Sequence, residues 1–203
     1  MRRYTLVVLV VFIIFLAITP AYGKEYQSSF GFTVDIPTHW LVLTRQELKD
    51  NPDFFDFDKK EFGSIDKNLL KTITSTIKSG RIEFFFNQKT SDSSFSDNIN
   101  VAKQIGKIPE NETQLREMCD SLPEQLSSYF GRKIECYQCK LKDINGLKSL
   151  FLEFEGVIEG TRSIQYQIQR SPSVQIIFTA TCKNSVLDTI REEFERIILS
   201  IKM

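Results

Sequence analysis

The chain has 203 residues, with 26 Lys plus Arg against 26 Asp plus Glu, and 41% of its residues are hydrophobic. Residues 1–23 carry Arg2 and Arg3 and no acid, so the remaining 180 residues hold 24 basic and 26 acidic side chains and are mildly acidic. Those proportions predict a single globular domain over residues 24–203 and argue against a disordered tail, a multi-pass membrane protein and a basic nucleic-acid binder.

Arg2 and Arg3 precede an unbroken apolar run from Leu6 to Ile18, followed by Thr19, Pro20 and the small-residue site Ala21-Tyr22-Gly23. That order predicts a secretory signal peptide over residues 1–23, cleaved to leave Lys24 as the first residue. The run is shorter than the roughly 20 residues that span a bilayer core. An uncleaved N-terminal anchor is the alternative, and the protein meets a membrane only in that case.

Phe30, Phe32, Val34 and Ile36 alternate with smaller or polar residues, which predicts a half-buried strand ended by Pro37. Trp40 leads into a second short strand, Leu41 to Leu43. Thr44 and Glu47 have the spacing of a capping box for a short helix that stops before Asn51-Pro52. Residues 53–63 are acidic and rich in Phe without a clear period. Asp66 then precedes Leu69, Leu70, Ile73 and Ile77, a helical stripe ending at Ser79-Gly80. Residues 81–87 read as a strand with Ile82, Phe84 and Phe86 in one phase. A polar loop spans residues 89–98, and Ile99 and Val101 resume a strand up to about Ile105. Asn111 is placed to cap a helix whose stripe is Leu115, Met118, Cys119, Leu122, Leu126 and Phe130, with a kink or break expected at Pro123 and a stop at Gly131. Strands 133–142 and 148–157 are joined at Asn145-Gly146, a strong hairpin signal. Strands 161–170 and 174–182 follow, then a helix started by Ser185 and Asp188 with Leu187, Ile190, Phe194, Ile197 and Ile201 on one face. Short turns between consecutive strands require antiparallel pairing, and the helical stripes need a sheet face to cover. The fold class is therefore α+β, an antiparallel sheet with helices packed on its faces.

Four cysteines, Cys119, Cys136, Cys139 and Cys182, are an even number suited to disulfides outside the cytosol. Cys136 and Cys139 have the C-x-x-C spacing of a redox pair. In a strand, however, they lie about 10 Å apart at about 3.3 Å per residue, too far for a bond whose Cα atoms must approach within about 7 Å. A bridge from one of them to Cys119 or Cys182 is the expectation, and a thiol–disulfide function the rival.

The run Phe30-Gly31-Phe32-Thr33-Val34-Asp35-Ile36-Pro37-Thr38-His39-Trp40 resembles the opening of the PsbP-like family, where an aromatic-rich strand enters a Pro-x-x-Trp turn. The C-terminal strand meander and the helix ending Ile197-Ile198-Leu199-Ser200-Ile201 resemble the same family. The likeness covers most of residues 26–203 and implies an antiparallel sheet sandwiched by helices, with a role in binding or assembly. It supplies no catalytic residues. The four cysteines and the acidic, Phe-rich segment depart from the family pattern, so the photosystem and Ran-binding roles of individual members do not transfer.

Among single residues, Trp40 reads as a core anchor and His39 as a surface turn residue without a nucleophile elbow nearby. Asp50, Asp53, Asp56, Asp58 and Glu61 form the densest acidic cluster, but in the register from Asp56 the fifth and sixth positions of a calcium loop fall on Lys60 and Glu61. Arg162, Gln165, Gln167, Gln169 and Arg170 form a candidate partner surface on one strand. No phosphate loop, zinc helix or dinucleotide fingerprint occurs in the chain. The expectation is an exported, non-catalytic binding or assembly protein of the cell envelope, periplasmic or extracellular, without cofactor or metal. Its partner is an envelope protein or small ligand and not nucleic acid.

Overall fold

The computed structural model describes residues 23–50, 74–90 and 95–203. The predicted signal peptide, the acidic Phe-rich segment, most of the helix predicted after Asp66 and part of the 89–98 loop lie outside the described residues.

Seven strands form one antiparallel sheet in the order β3-β4-β5-β9-β8-β7-β6. They are β3 (Trp40–Leu43), β4 (Ile82–Asn87), β5 (Asn98–Ile105), β6 (Cys136–Ile144), β7 (Leu147–Glu155), β8 (Thr161–Ser171) and β9 (Val174–Lys183). A separate two-stranded ribbon pairs β1 (Lys24–Gln27) with β2 (Thr33–Ile36). The helices are α1 (Arg45–Asp50), α2 (Glu112–Phe130) and α3 (Leu187–Leu199); residues 74–78 are also helical. Sheet and helices together make the α+β fold that the sequence predicts.

Period-two alternation sorts the strands' side chains onto two faces. One face presents Phe85, Ile99, Val101, Ile164, Tyr166, Ile168, Ile176 and Phe178 to the ribbon and α3, whose Ile190, Phe194, Ile197 and Ile198 complete the main core. On the other face, α2 lies over β6 and β7 around Leu150, Leu152 and Phe154. Leu48 of α1 and Ile77 cover Leu43 and Phe86 at the opposite side of that face. Between these two covers β5, β9 and β8 present mostly polar side chains, among them Asn100, Thr179, Gln165 and Gln167. Helices therefore pack on both sides of the sheet, and among the described residues none is long and apolar enough to cross a membrane.

Several boundaries differ from expectation for identifiable reasons. The strand expected from Phe30 is β2, which begins at Thr33. Residues 28–31 form a turn in which the Gly31 amide donates to the Ser28 carbonyl and Gly31 has φ 83°, a conformation that suits glycine. β1, which has no alternating signal, is held by pairing to β2. The helix α2 runs unbroken through Pro123. Asn111 caps it as predicted, its Oδ1 accepting from the Gln114 amide at 3.0 Å, and Gly131 ends it in the left-handed region at φ 68°. Ser185 does not cap α3, since residues 184–186 form a 3-10 turn and no side chain caps the helix. The Asn145-Gly146 turn has positive φ at both positions, 55° and 81°, as a tight hairpin with matching strand twist requires.

Candidate functional site

The structure separates the five residues predicted as one partner surface. Gln165, Gln167 and Gln169 point to the polar stripe on the α2 side, and Arg162 and Arg170 to the α3 side. The glutamines are engaged with the fold. Gln165 Nε2 donates to Thr179 Oγ1 at 2.9 Å, and Gln167 Nε2 donates to Gln165 Oε1 at 2.7 Å. Gln169 Oε1 accepts from the Ile108 amide at 2.9 Å while its Nε2 donates to the Val174 carbonyl at 3.2 Å. Arg170 is exposed and lies against the backbone of Gly31.

Arg162 belongs to a charged cluster that sequence periodicity gives no means to find. Glu153 of β7 is 3% exposed, and Arg191 of α3 grips its carboxylate with two hydrogen bonds of 2.8 and 2.9 Å. Arg162 Nη1 and Gln138 Nε2 add bonds of 3.1 and 2.9 Å. The two bonds from Arg191, then its charge and that of Arg162, hold the carboxyl below the usual carboxylate range against the opposing effect of burial. The Arg162 guanidinium also stacks 3.5 Å above the ring of Tyr137, which is 45% exposed. Tyr137 occupies a β-bulge in β6, where the register shifts between Cys136 and Gln138.

That bulge rearranges the cysteines. An extra residue turns Cys136 to the same face as Cys139, so both pack against the α2 cluster. Cys139 is disulfide-bonded to Cys119 of α2, with Cα atoms 5.7 Å apart. Cys136 and Cys182 are free thiols and not members of a second bridge. The reason for Cys182 is topological: it faces the main core under α3, on the opposite side of the sheet from the other three. Burial and the charge of Asp97 push its thiol up to about 12, and burial also raises that of Cys136.

His39 lies in the turn before β3 as expected, but half-buried and engaged with α3. Its side chain is 19% exposed and Nε2 lies 3.0 Å from Glu193 Oε1 on α3. Trp40 is a core residue as read, 4% exposed, with its indole Nε1 lacking a hydrogen-bond partner. Of the acidic cluster only Asp50 is described. It is exposed and accepts from Gln46 at 2.8 Å. Among the described residues no three His, Cys, Asp or Glu side chains gather into a metal-binding group.

Four of the seven large exposed apolar side chains among the described residues lie where α2 ends, β6 begins and β7 joins β8. Tyr129 at the end of α2 is 83% exposed, and Val157 and Ile158 in the β7–β8 loop are 50% and 56% exposed, close to Tyr137 in the chain topology. Arg132 fastens this end, its Nε donating to the Val157 carbonyl at 3.0 Å, its Nη2 to the Gly156 carbonyl, and its Nη1 to Glu155 at 3.1 Å.

An antiparallel sheet clasped by a C-terminal helix and an N-terminal ribbon on one side and by α2 on the other is a PsbP-like fold. It is similar to the solution structure of cyanobacterial PsbP (CyanoP) from Synechocystis sp. PCC 6803, with a TM-score of 0.54 and 12% identity over 92% of this chain and 95% of that one. The Ran-binding protein Mog1p of Saccharomyces cerevisiae aligns with a TM-score of 0.49 and 10% identity, over 88% of this chain and 94% of its own. No protein-family model matches the sequence, and no curated protein matches it.

Proposed function

We propose that this chain is an exported, non-catalytic binding or assembly protein of the cell envelope, and that it docks a partner through Tyr129, Tyr137, Val157 and Ile158. The observation that carries this reading is the concentration of exposed aromatic and aliphatic side chains on a fastened end of the fold. Tyr137 is stiffened from behind by Arg162, and Arg132 fixes the loop that presents Val157 and Ile158. Tyrosine backed by arginine is the composition of interface hot spots, and rigid presentation lowers the entropy lost on docking. Export is supported by the order of charges and apolar residues in the first 23 positions and by a disulfide, which persists in oxidising compartments. The thiol–disulfide rival loses its pair, because Cys139 is already bonded to Cys119 and the Cys136 thiol is raised by burial.

The test is a photo-crosslinking residue placed at Tyr137 in the full chain, expressed in its own cell. A discrete adduct is expected in the envelope fraction, and Ile158→Asp should abolish it, while the same crosslinker at Lys148 yields none. N-terminal sequencing of the recovered protein should begin at Lys24. Adducts insensitive to Ile158→Asp would overturn the docking surface, and a retained N-terminus would replace export in free form by membrane tethering.

A further inference from the structure

The opposite end of the sheet, where β4 and β9 begin and β5 ends, carries a different surface. A cleft of about 270 Å³ opens there, walled by Phe30, Ile105 and Val174 and bordered by Arg81, Lys103 and Gly80. Ile105 is 85% exposed, the most exposed large apolar side chain among the described residues. Phe30 is held in place by the turn at residues 28–31, which is pinned to Glu83 of β4. That carboxylate accepts from Ser28 Oγ at 2.8 Å, from the Ser29 amide at 2.9 Å and from Ser29 Oγ at 2.8 Å. Glu83 is 2% exposed, so its charge is directed into the turn and away from the cleft mouth.

Two glycines bring further cations to the same place. The guanidinium of Arg170 lies over Gly31, within 2.6 Å of where a Cβ would stand, and Arg45 Nη1 lies 3.4 Å from the Cβ position of Gly80. Both glycines have positive φ, 83° and 71°. Arg45, Arg81, Lys103 and Arg170 are all exposed. None of the four forms an ion pair with a described residue, and among those residues Arg81 makes a 3.2 Å hydrogen bond to Ser79 Oγ. Ion pairs do form elsewhere among the described residues, as in Arg132 with Glu155, Arg191 with Glu153 and Lys142 with Glu195, and other exposed cations such as Lys49, Lys78 and Lys148 stand without one but are not gathered at a cleft. Two cations thus border the apolar cleft and two more lie against glycines at or next to it, all four without an ion-pair partner among the described residues.

We propose that this cleft binds an acidic peptide segment bearing one bulky apolar side chain, which enters between Phe30, Ile105 and Val174 while flanking carboxylates pair with the four cations. The cleft is below the roughly 300–1,000 Å³ usual for whole small-molecule ligands and of a size for a single side chain. A membrane surface is the less fitting occupant. Insertion needs a face of several emergent apolar groups, whereas Ile105 alone projects here and the other apolar residues line a concavity. Nucleic acid lacks an exposed aromatic platform, since Phe30 is 7% exposed. This inference rests on the reading of the chain as a binding protein but concerns a second surface.

The test titrates the purified full chain into a fluorescently labelled Asp-Glu-Phe-Asp-Glu peptide and follows anisotropy. Binding is expected, and replacing the peptide's Phe by Ala should weaken it at least about tenfold, the effect of losing one buried aromatic group. Combining Arg81→Glu with Lys103→Glu should weaken it by about tenfold or more, whereas Lys133→Glu at the far end leaves it unchanged. Affinity should fall as salt rises from about 0.01 M to about 0.15 M, which shortens the Debye length from about 30 Å to about 8 Å. Circular dichroism establishes that the variants are folded, and Ile105→Asp tests the apolar wall without altering the four cations. No binding, binding indifferent to the Phe, or binding indifferent to charge reversal overturns the proposal. Charge-dependent binding to phosphatidylglycerol vesicles without binding to the peptide overturns it in favour of a lipid surface. Since the variants leave the Tyr137 end intact, a crosslink there that persists when peptide binding fails confines the failure to this cleft.

Discussion

The carboxylate of Glu153 accepts four hydrogen bonds from Arg191, Arg162 and Gln138 while its side chain is 4% exposed. Removing it would leave two guanidiniums facing each other in a confined space. Glu153→Gln is therefore expected to cost about 3–5 kcal/mol at neutral pH, the usual penalty for breaking a buried pair from one side. The folded carboxyl lies below its unfolded value, so its contribution is fully present above about pH 4.3, the unfolded glutamate value, and is lost as pH falls through the folded value. Urea unfolding at a series of pH values checks both parts: the gap between parent and Glu153→Gln should narrow as pH drops below about 4, and a constant gap would contradict the ionised cluster. The thiols give a second residue-level expectation. At neutral pH iodoacetamide should modify Cys136 slowly and Cys182 only after unfolding, as mass spectrometry of tryptic peptides would record, because the Cys182 thiol is pushed up to about 12 and fully buried. Neither expectation is readable from the sequence. Glu153 stands in an apolar strand as one more alternating polar residue, and its partner Arg191 is 38 positions away.

At the scale of elements, α2 shows where sequence reading succeeds and where it stops. Its ends were legible because they depend on local chemistry, an Asn side chain closing onto the helix and a glycine in the left-handed region. Its continuity through Pro123 was not, since the loss of one amide donor is set against contacts that the local sequence does not contain. Those contacts are the stripe Leu115, Met118, Leu122, Leu126 and Phe130 on the β6–β7 face and the bond from Cys119 to Cys139. Likewise strict alternation puts Cys136 and Cys139 on opposite faces of a strand, and only the bulge at Tyr137 brings them to one. No residue of α2 is fully buried, so the covalent tie should matter more here than for α3, which buries Ile190, Phe194, Ile197 and Ile198. Replacing both Cys119 and Cys139 by Ala is expected to cost about 3 kcal/mol, the value for closing a loop of this order. Hydrogen exchange should show amides 112–130 losing protection first while those of α3 keep theirs; equal loss in both helices would mean that the bridge supports the whole fold and not one layer.

For the whole molecule, the main core is closed by segments from the two extremes of the described chain. The Thr33 amide donates to the Lys202 carbonyl at 2.9 Å, and the Lys202 amide returns a bond to the Thr33 carbonyl at 3.0 Å. The Ser200 hydroxyl accepts from the Asp35 amide at 2.9 Å, and Asn145 Nδ2 donates to the carbonyls of Leu199 and Ile201 at 2.8 and 3.2 Å. Ile201, 2% exposed, thus sits in a knot that fastens the ribbon, α3 and the β6–β7 turn over Phe32, Val34 and Phe178. Among the described residues the ribbon shares no strand ladder with the large sheet: β1 pairs with β2, Thr33 of β2 bridges to Lys202, and the turn between the two strands is tied to β4 through the Glu83 side chain. Its stability should then follow the C-terminus and not its own sequence. Ile201→Ala is expected to lower stability by about 2–5 kcal/mol, as for other buried isoleucines, and to open the ribbon to proteolysis within residues 24–36 before the strands β6 to β9 are cut. Lys202→Ala, which removes only an exposed pair with Glu25 and keeps both backbone bonds, should leave the melting temperature and the cleavage pattern unchanged. The order of cleavage, read by mass spectrometry over a protease time course, decides the matter. Early cuts in the strands β6 to β9 would show that the ribbon is held by its apolar face alone, and that the two ends of the chain do not act as one closure.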